Sequence, residues 1–197
     1  MKLLVTANVQ SAQVNQHYHI RPMQEQDIDP VLSIDRASFT LPWSANAYHY
    51  ELNENPRSLL WVAETIDHEN FPLMVGMIVV WMILDEAHIA TIAVLPDFRG
   101  KGIGRSLLII ALREAIRQGA THATLEVRAN NVSAQNLYHS FQFQTVGQRP
   151  QYYRDNNEDA LIMTTNYLGR GYLEWLDQEG WNNKSQSVRK STSGGGV

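Results

Sequence analysis

The stretch Arg99-Gly100-Lys101-Gly102-Ile103-Gly104-Arg105 constrains this chain more than any other. It lies between an apolar run, Ile89-Ala90-Thr91-Ile92-Ala93-Val94, and an amphipathic run from Ser106 to Gln118. Glycines on alternate positions at a strand-to-helix junction let a polyanion approach bare backbone N–H groups. The unsatisfied first turn of the helix and its dipole favour negative charge there. The sequence predicts a phosphate cradle that opens a long helix.

Spacing decides which phosphate. A nucleotide-hydrolysing P-loop needs a glycine, four residues and then Gly-Lys-Ser or Gly-Lys-Thr, and no glycine of this chain starts that pattern. The dinucleotide fingerprint places Gly-x-Gly-x-x-Gly directly after a strand. Here its third glycine falls on Arg105 or Leu107, and Leu95 to Arg99 separate strand from glycines. What remains is Arg-x-x-Gly-x-Gly, read as Arg99, Gly102 and Gly104, and this spacing resembles the pyrophosphate loop of the GNAT superfamily of N-acetyltransferases, which use acetyl-CoA.

Composition closes off other classes. At 197 residues and 44% hydrophobic, the chain suits one domain with a packed core. A formal charge of -4 gives no electrostatic footprint for nucleic acid. With no cysteine there is no disulfide framework, thiolate metal site or cysteine nucleophile. The histidines lack the HExxH spacing, and His17 and His19 read as solvent-facing residues of a strand, so no metal is expected. Leu3-Leu4-Val5 is far short of a secretory apolar region and Gly76 to Leu84 is too short to span a bilayer, so the expectation is a soluble cytoplasmic protein without a membrane partner.

Along the chain, residues 1 to 16 read as a flexible leader, 17 to 167 as the catalytic domain, and 168 to 197 as a largely disordered extension. A strand is expected at His17 to Arg21. A helix follows over Asp29 to Phe39, with Asp29 as N-cap and Pro30 at its first position. Ser44 caps a second helix through Leu52. Ser58 to Thr65, Leu73 to Leu84 and His88 to Val94 read as an antiparallel meander, separated by Asp67-His-Glu-Asn70 and Asp85-Glu86. After the glycine loop and its helix, with Gly119 at the C-cap, come a strand from Ala123 to Arg128, a helix from Ser133 to Phe141, and strands at Phe143 to Arg149 and Ala160 to Tyr167. Tyr172, Leu173, Trp175 and Leu176 suggest one further amphipathic turn.

Acetyl transfer to an amine needs one group to take a proton from the nucleophile and another to give one to the departing thiolate. In Ala123-Thr-Leu-Glu-Val-Arg128, Leu125 and Val127 share one face and Thr124, Glu126 and Arg128 the other. Taken alone, Glu126 reads as a solvated residue of a polar face. Tyr138 borders the stripe made by Leu137 and Phe141 and, taken alone, reads as half-buried packing. Asn131 precedes that helix and reads as an N-cap, a role compatible with ligand contact.

Together these residues resemble a branch of the GNAT superfamily, the ribosomal-protein-alanine N-acetyltransferases. That branch carries Leu-Glu-Val-Arg, an Asn five positions after the Glu and a Tyr seven positions after that Asn, matched here by Glu126, Asn131 and Tyr138. Further matches are Pro42-Trp43-Ser44, Leu84-Asp85-Glu86-Ala87, Ile92-Ala93-Val94, Arg149 with Tyr152-Tyr153, and Glu158 to Met163. Leu41 departs from the pattern, where Phe commonly precedes Pro-Trp.

The resemblance implies an α/β GNAT fold: a mixed, mostly antiparallel central sheet flanked by helices, with splayed central parallel strands holding acetyl-CoA. It implies that Ile92, Ala93 and Val94 pair with the pantetheine arm and that Arg99, Gly100, Lys101, Gly102, Ile103, Gly104 and Arg105 hold the pyrophosphate. By the same carry-over Asn131 contacts acetyl-CoA, Glu126 is the general base and Tyr138 the general acid. Trp43, Tyr152 and Tyr153 would wall a groove for a protein or peptide N-terminus, most simply the N-terminal alanine of a small-subunit ribosomal protein. A GNAT acting on a lysine or small amine, and a non-catalytic acyl-CoA-binding module, remain the alternatives.

Overall fold

The computed structural model describes residues 18–66 and 71–178. The expected leader (1 to 16), the turn at 67–70, His17 and the Gly/Ser-rich tail beyond 182 lie outside the described residues. In chain order the elements are β1 (Tyr18–Pro22), α1 (Ile28–Ser38), α2 (Ala45–Asn53), β2 (Ser58–Ile66), β3 (Pro72–Ile83), β4 (Glu86–Val94), α3 (Ile103–Arg117), β5 (His122–Arg128), α4 (Val132–His139), β6 (Gln144–Tyr153) and β7 (Glu158–Asn166). A further helix, α5, runs over 170–178.

The strands form one seven-stranded sheet in the order β1-β2-β3-β4-β5-β7-β6. Every neighbouring pair is antiparallel except β4 with β5. That parallel pair is short, joining Glu86 to His122, Ala87 to Ala123 and His88 to Thr124, after which the two strands part. Alternation of side chains puts each strand's apolar residues on two faces, and both faces are covered. On one, α3 lays Ile103, Leu107, Leu108, Ala111, Leu112 and Ala115 against Ile78, Val80, Leu125 and Val127. On the other, Val31, Leu32 and Ile34 of α1 and Tyr48 of α2 meet Val62, Met77, Val79 and Ala93.

One local expectation is corrected. Helix α1 starts at Ile28, so Asp27, not Asp29, stands at its N-cap, after a single 3-10 turn at Glu25–Asp27. The Asp27 carboxylate is recruited backwards instead of capping forwards: it accepts from Gln24 N at 2.7 Å and from both terminal nitrogens of Arg21. The long helix begins at Ile103, ahead of the amphipathic run at Ser106, with Gly102 as its N-cap at φ of +83°. Ser44 caps α2 as expected, accepting from Ala47 N at 3.2 Å.

The amphipathic turn expected after Tyr167 is the helix α5. Its Tyr172 and Leu176 are buried in the α3-side cluster, and Tyr172 Oη donates to Phe141 O at 2.7 Å. Packing therefore continues beyond the boundary at 167 read from composition. Among the described residues no helix is long and apolar enough to cross a membrane.

Candidate active site

The parting of β4 from β5 leaves backbone groups on both facing edges without a strand partner, a slot that an extended ligand can fill. On the β4 side the register says which groups face it. Leu95 N donates to Val75 O at 2.9 Å, and Leu95, Ala93 and Thr91 alternate as the residues turned to β3. Ile92 and Val94 therefore turn towards the slot, while Ala93 is committed to the sheet. The Val94 carbonyl already accepts from Arg99 Nε at 2.9 Å. This bond folds Arg99 back over the end of the strand. On the β5 side, Gln135 Nε2 donates to the carbonyls of Arg128 and Ala129.

At the mouth of the slot lies the glycine loop. Gly100 and Gly102 have φ of +74° and +83°, a left-handed conformation that costs an ordinary residue about 1–2 kcal/mol. A side chain at Gly100 would meet open space. The loop is thus an outward-facing backbone concavity at the N-terminus of α3, the donor set a pyrophosphate requires. Lys101 Nζ stands over the Phe98 ring at 4.7 Å, and Arg105 donates to Ser140 Oγ at 3.0 Å while crossing the Phe141 ring. Tyr18 Oη and Ser106 Oγ, 2.8 Å apart, tie β1 to the first turn of α3 beside the loop.

Glu126 and Tyr138 stand on opposite faces of the sheet. Leu125 and Val127 point into the α3-side core, so Glu126 points the other way. Tyr138 belongs to that α3-side core, 5% exposed and tilted against Phe143. The expectation of a half-buried Tyr is corrected: the ring is buried in the α3-side cluster, tilted against Phe143, the residue before β6. Burial, and secondarily Tyr153, pushes its hydroxyl above the ordinary tyrosine range. One ligand can meet both residues only where the sheet is open, at the slot.

Around Glu126 a face of aromatic and charged side chains is assembled from distant elements. Arg149 Nε donates to Glu126 Oε1 at 3.1 Å, and His88 Nε2 lies 3.4 Å from Oε2. His88 stacks on Trp81, and Trp81 stacks on Trp43, with centroids 5.6 and 5.9 Å apart. Trp81 is anchored by its Nε1–H to Glu51 at 3.0 Å. Trp43 is fixed by its backbone N–H, which donates to the fully buried Asp35 at 2.6 Å. From the other side, β6 delivers Tyr152 and Tyr153 in an edge-to-face pair, with the Arg128 guanidinium 3.9 Å from the Tyr153 ring. Burial pushes the Tyr153 hydroxyl up to about 12; Arg128 opposes the shift, and Tyr152, Glu126 and Glu158 add to it.

The structure thus links the predicted Trp43 through Trp81 and His88 to Glu126, sets Tyr153 within electrostatic reach of both Glu126 and the buried Tyr138, and leaves Tyr152 exposed. Asn131 caps α4 through Oδ1, which accepts from Ala134 N at 3.1 Å, leaving its amide nitrogen for other contacts. Sequence reading missed His88, Trp81 and the position of Arg149 on the carboxylate. The polar alternation Glu86, His88 on β4 against Thr124, Glu126 on β5 was the available signal. Among the described residues no group of three or more His, Asp or Glu is arranged to hold a metal ion.

Comparison with known proteins fits this geometry. Residues 28–143 match the model of the Acetyltransferase (GNAT) family. The ribosomal protein bS18-alanine N-acetyltransferase of Escherichia coli (strain K12) is 32% identical over 151 residues, covering 73% of this chain and 94% of that protein. A Bacillus subtilis (strain 168) protein for which the same activity has been proposed is 40% identical over 144 residues, covering 73% of this chain and 92% of its own length. The crystal structure of the ribosomal-protein-S18-alanine N-acetyltransferase from E. coli superposes with a TM-score of 0.66 at 30% identity, covering 77% of this chain and 94% of that one.

Proposed function

The chain belongs to the acetyltransferase (GNAT) family, and from that premise we propose that it moves the acetyl group of acetyl-CoA to the α-amine of a protein N-terminus, with the N-terminal alanine of ribosomal protein bS18 as acceptor. The observation that carries this reading is the placement of Glu126 at the slot, on the face walled by Trp43, Trp81 and Tyr153. The relatives that share the full fold supply the acceptor by their named activity.

Acetyl-CoA supplies an activated thioester; the chain's residues orient it and handle protons. The glycine loop would hold the pyrophosphate, and Ile92 and Val94 would pair with the pantetheine arm. Glu126, kept in place by Arg149 and His88, takes the proton of the attacking amine. Tyr138 gives its proton to the departing thiolate: a tyrosine hydroxyl is protonated at neutral pH without any shift, and burial, by making this one a weaker acid, ties the transfer to the moment negative charge builds on sulfur. An α-amine, with a reference pKa of about 7.7–8.0 against about 10.4 for lysine, costs roughly 3.5 kcal/mol less to deprotonate. A single carboxylate suffices for the first and serves the second poorly.

A panel of synthetic peptides, assayed with acetyl-CoA and read by mass spectrometry that locates the acetyl group, tests the acceptor. Acetylation of the bS18 N-terminal sequence at the α-amine, with little on peptides whose α-amine is blocked or on polyamines, is expected. Preference for a lysine side chain or a polyamine would contradict it.

A further inference from the structure

The parallel strand pair carries a line of polar side chains of which the acetyl-transfer chemistry above uses only the inner end, Glu126 and its neighbour His88. Residues 86 and 88 of β4 and 122, 124 and 126 of β5 fall on the same face, because each pair is two positions apart and Glu86 faces His122 while His88 faces Thr124. The intervening Ala87 and Ala123 are fully buried on the other face. Within this ladder the contacts are continuous. Glu126 Oε2 is 3.4 Å from His88 Nε2, and His88 Nδ1 is 3.2 Å from Thr124 Oγ1. The Thr124 hydroxyl donates to Glu86 Oε1, and Glu86 Oε2 is 3.3 Å from His122 Nε2. His122 Nδ1 reaches Thr121 Oγ1 at 3.2 Å, whose hydroxyl donates to Asp85.

Donor and acceptor rules give this line a direction. A carboxylate only accepts, so Thr124 spends its proton on Glu86 and must accept from His88 Nδ1. His88 Nε2 then turns its lone pair towards Glu126 Oε2, so it is the atom placed to receive a proton that arrives on Glu126. The inner end, Glu126, is 13% exposed at its side chain, against 31% for His122. The outer end opens into a concavity of about 500 Å³ lined by Thr121, His122, Asn166, Tyr167 and Leu168. A bound peptide and acetyl-CoA would lie over Glu126, whereas the ladder leads away from them to the more exposed side chains at the far end of the sheet.

We propose that His88, Thr124, Glu86 and His122 form a proton conduit from Glu126 to solvent, with His88 and Thr124 as positioning residues that act through the base. The proposal rests on Glu126 being the base. The step balances: the amine proton moves to Glu126 and on to His88 Nε2, the Nδ1 proton passes to Thr124, and the Thr124 hydroxyl proton passes to Glu86 and out through His122. One proton enters and one leaves, with no change in electrons. The charged groups facing His88 are Glu126 and His122 of β5, Glu86 of β4 and, beyond Glu126, Arg149 of β6; Glu51 of α2 lies behind Trp81.

The test uses the full chain, saturating acetyl-CoA and a synthetic peptide with an N-terminal alanine, measuring kcat against imidazole concentration at fixed pH and ionic strength. Wild type should be insensitive to imidazole. Thr124→Val and His88→Gln should each lose about tenfold in kcat at low buffer, a modest share of a general-base contribution, and regain it as imidazole rises, because a mobile base replaces the missing link. Thr124→Ser, which keeps the hydroxyl, should behave as wild type. Wild-type rates in Thr124→Val and His88→Gln, or depressed rates that imidazole does not restore, would overturn the conduit. Glu126→Gln separates this from the premise: if it is slow while Thr124→Val is normal, the base stands and the conduit falls; if it is as fast as wild type, both fall.

Discussion

The proposed donor and acceptor halves of the site are built from different materials. The donor half is backbone: two left-handed glycines, the first turn of α3 and the slot-facing edge of β4. The acceptor half is side chains drawn from the α1–α2 loop, β3, β4, β5 and β6, stacked and ion-paired around Glu126. A backbone site is specified by a few residues close in sequence, whereas a side-chain site is specified by the sheet that brings distant residues together. Donor recognition should therefore fail through conformation at single positions. Acceptor chemistry should fail through individual functional groups, each without disturbing the other half.

Substitutions can break this division. Glu126→Gln should have the largest effect, lowering kcat by roughly 10²–10⁴ at neutral pH, the usual contribution of a general base. Acetyl-CoA affinity, measured by calorimetry, should stay as in wild type; a parallel loss of cofactor binding would merge the two halves. Tyr138→Phe should cut kcat by about 10–10², at the lower end of acid-base contributions, again with acetyl-CoA affinity preserved. Wild-type turnover would reduce Tyr138 to a packing residue against Phe143.

Gly102→Ala should act on the other half. Its φ of +83° makes any Cβ cost about 1–2 kcal/mol, so acetyl-CoA affinity should fall about tenfold with the KM for peptide unmoved. The nearest atom to the new Cβ would be Tyr18 Oη at 3.7 Å, an ordinary contact, so the loss is conformational and not a clash. Trp43→Ala should have the smallest effect on turnover. It removes the outer plate of the Trp43–Trp81–His88 stack, raising the peptide KM several-fold, on the order of 1 kcal/mol for one aromatic pair. An acetyl-CoA affinity change in that variant would again contradict the division.

The same difference explains what could be read from the chain. Glycine spacing, Ser44 and the period-two strands placed the elements and the glycine loop that opens α3 because each is a local code. The meander β2-β3-β4 and the splayed parallel pair follow the expected pattern. Asp27 stands at the cap position expected of Asp29 but makes no side-chain cap, because Arg21 and the Gln24 N–H hold its carboxylate. His88 and Trp81 escaped notice because their meaning lies in a cross-strand pairing, Trp81 opposite His88, which no window along the chain contains. Tyr138 was placed on the right helix face but given too much solvent, since the ring that covers it, Phe143, belongs to the chain's next turn. Helix α5 was too short a pattern to weigh until the core beneath it was known.

The central claim is that Glu126 deprotonates an amine presented at the slot. Its most direct test is the pH dependence of kcat for an alanine-starting peptide in wild type and Glu126→Gln, with both substrates saturating. With Glu126 as base, wild-type kcat should change little between about pH 6.5 and 8, while the variant's should climb roughly tenfold per unit below the amine's pKa of about 7.7–8.0, since only amine already deprotonated can react. Parallel profiles in the two proteins would contradict the claim.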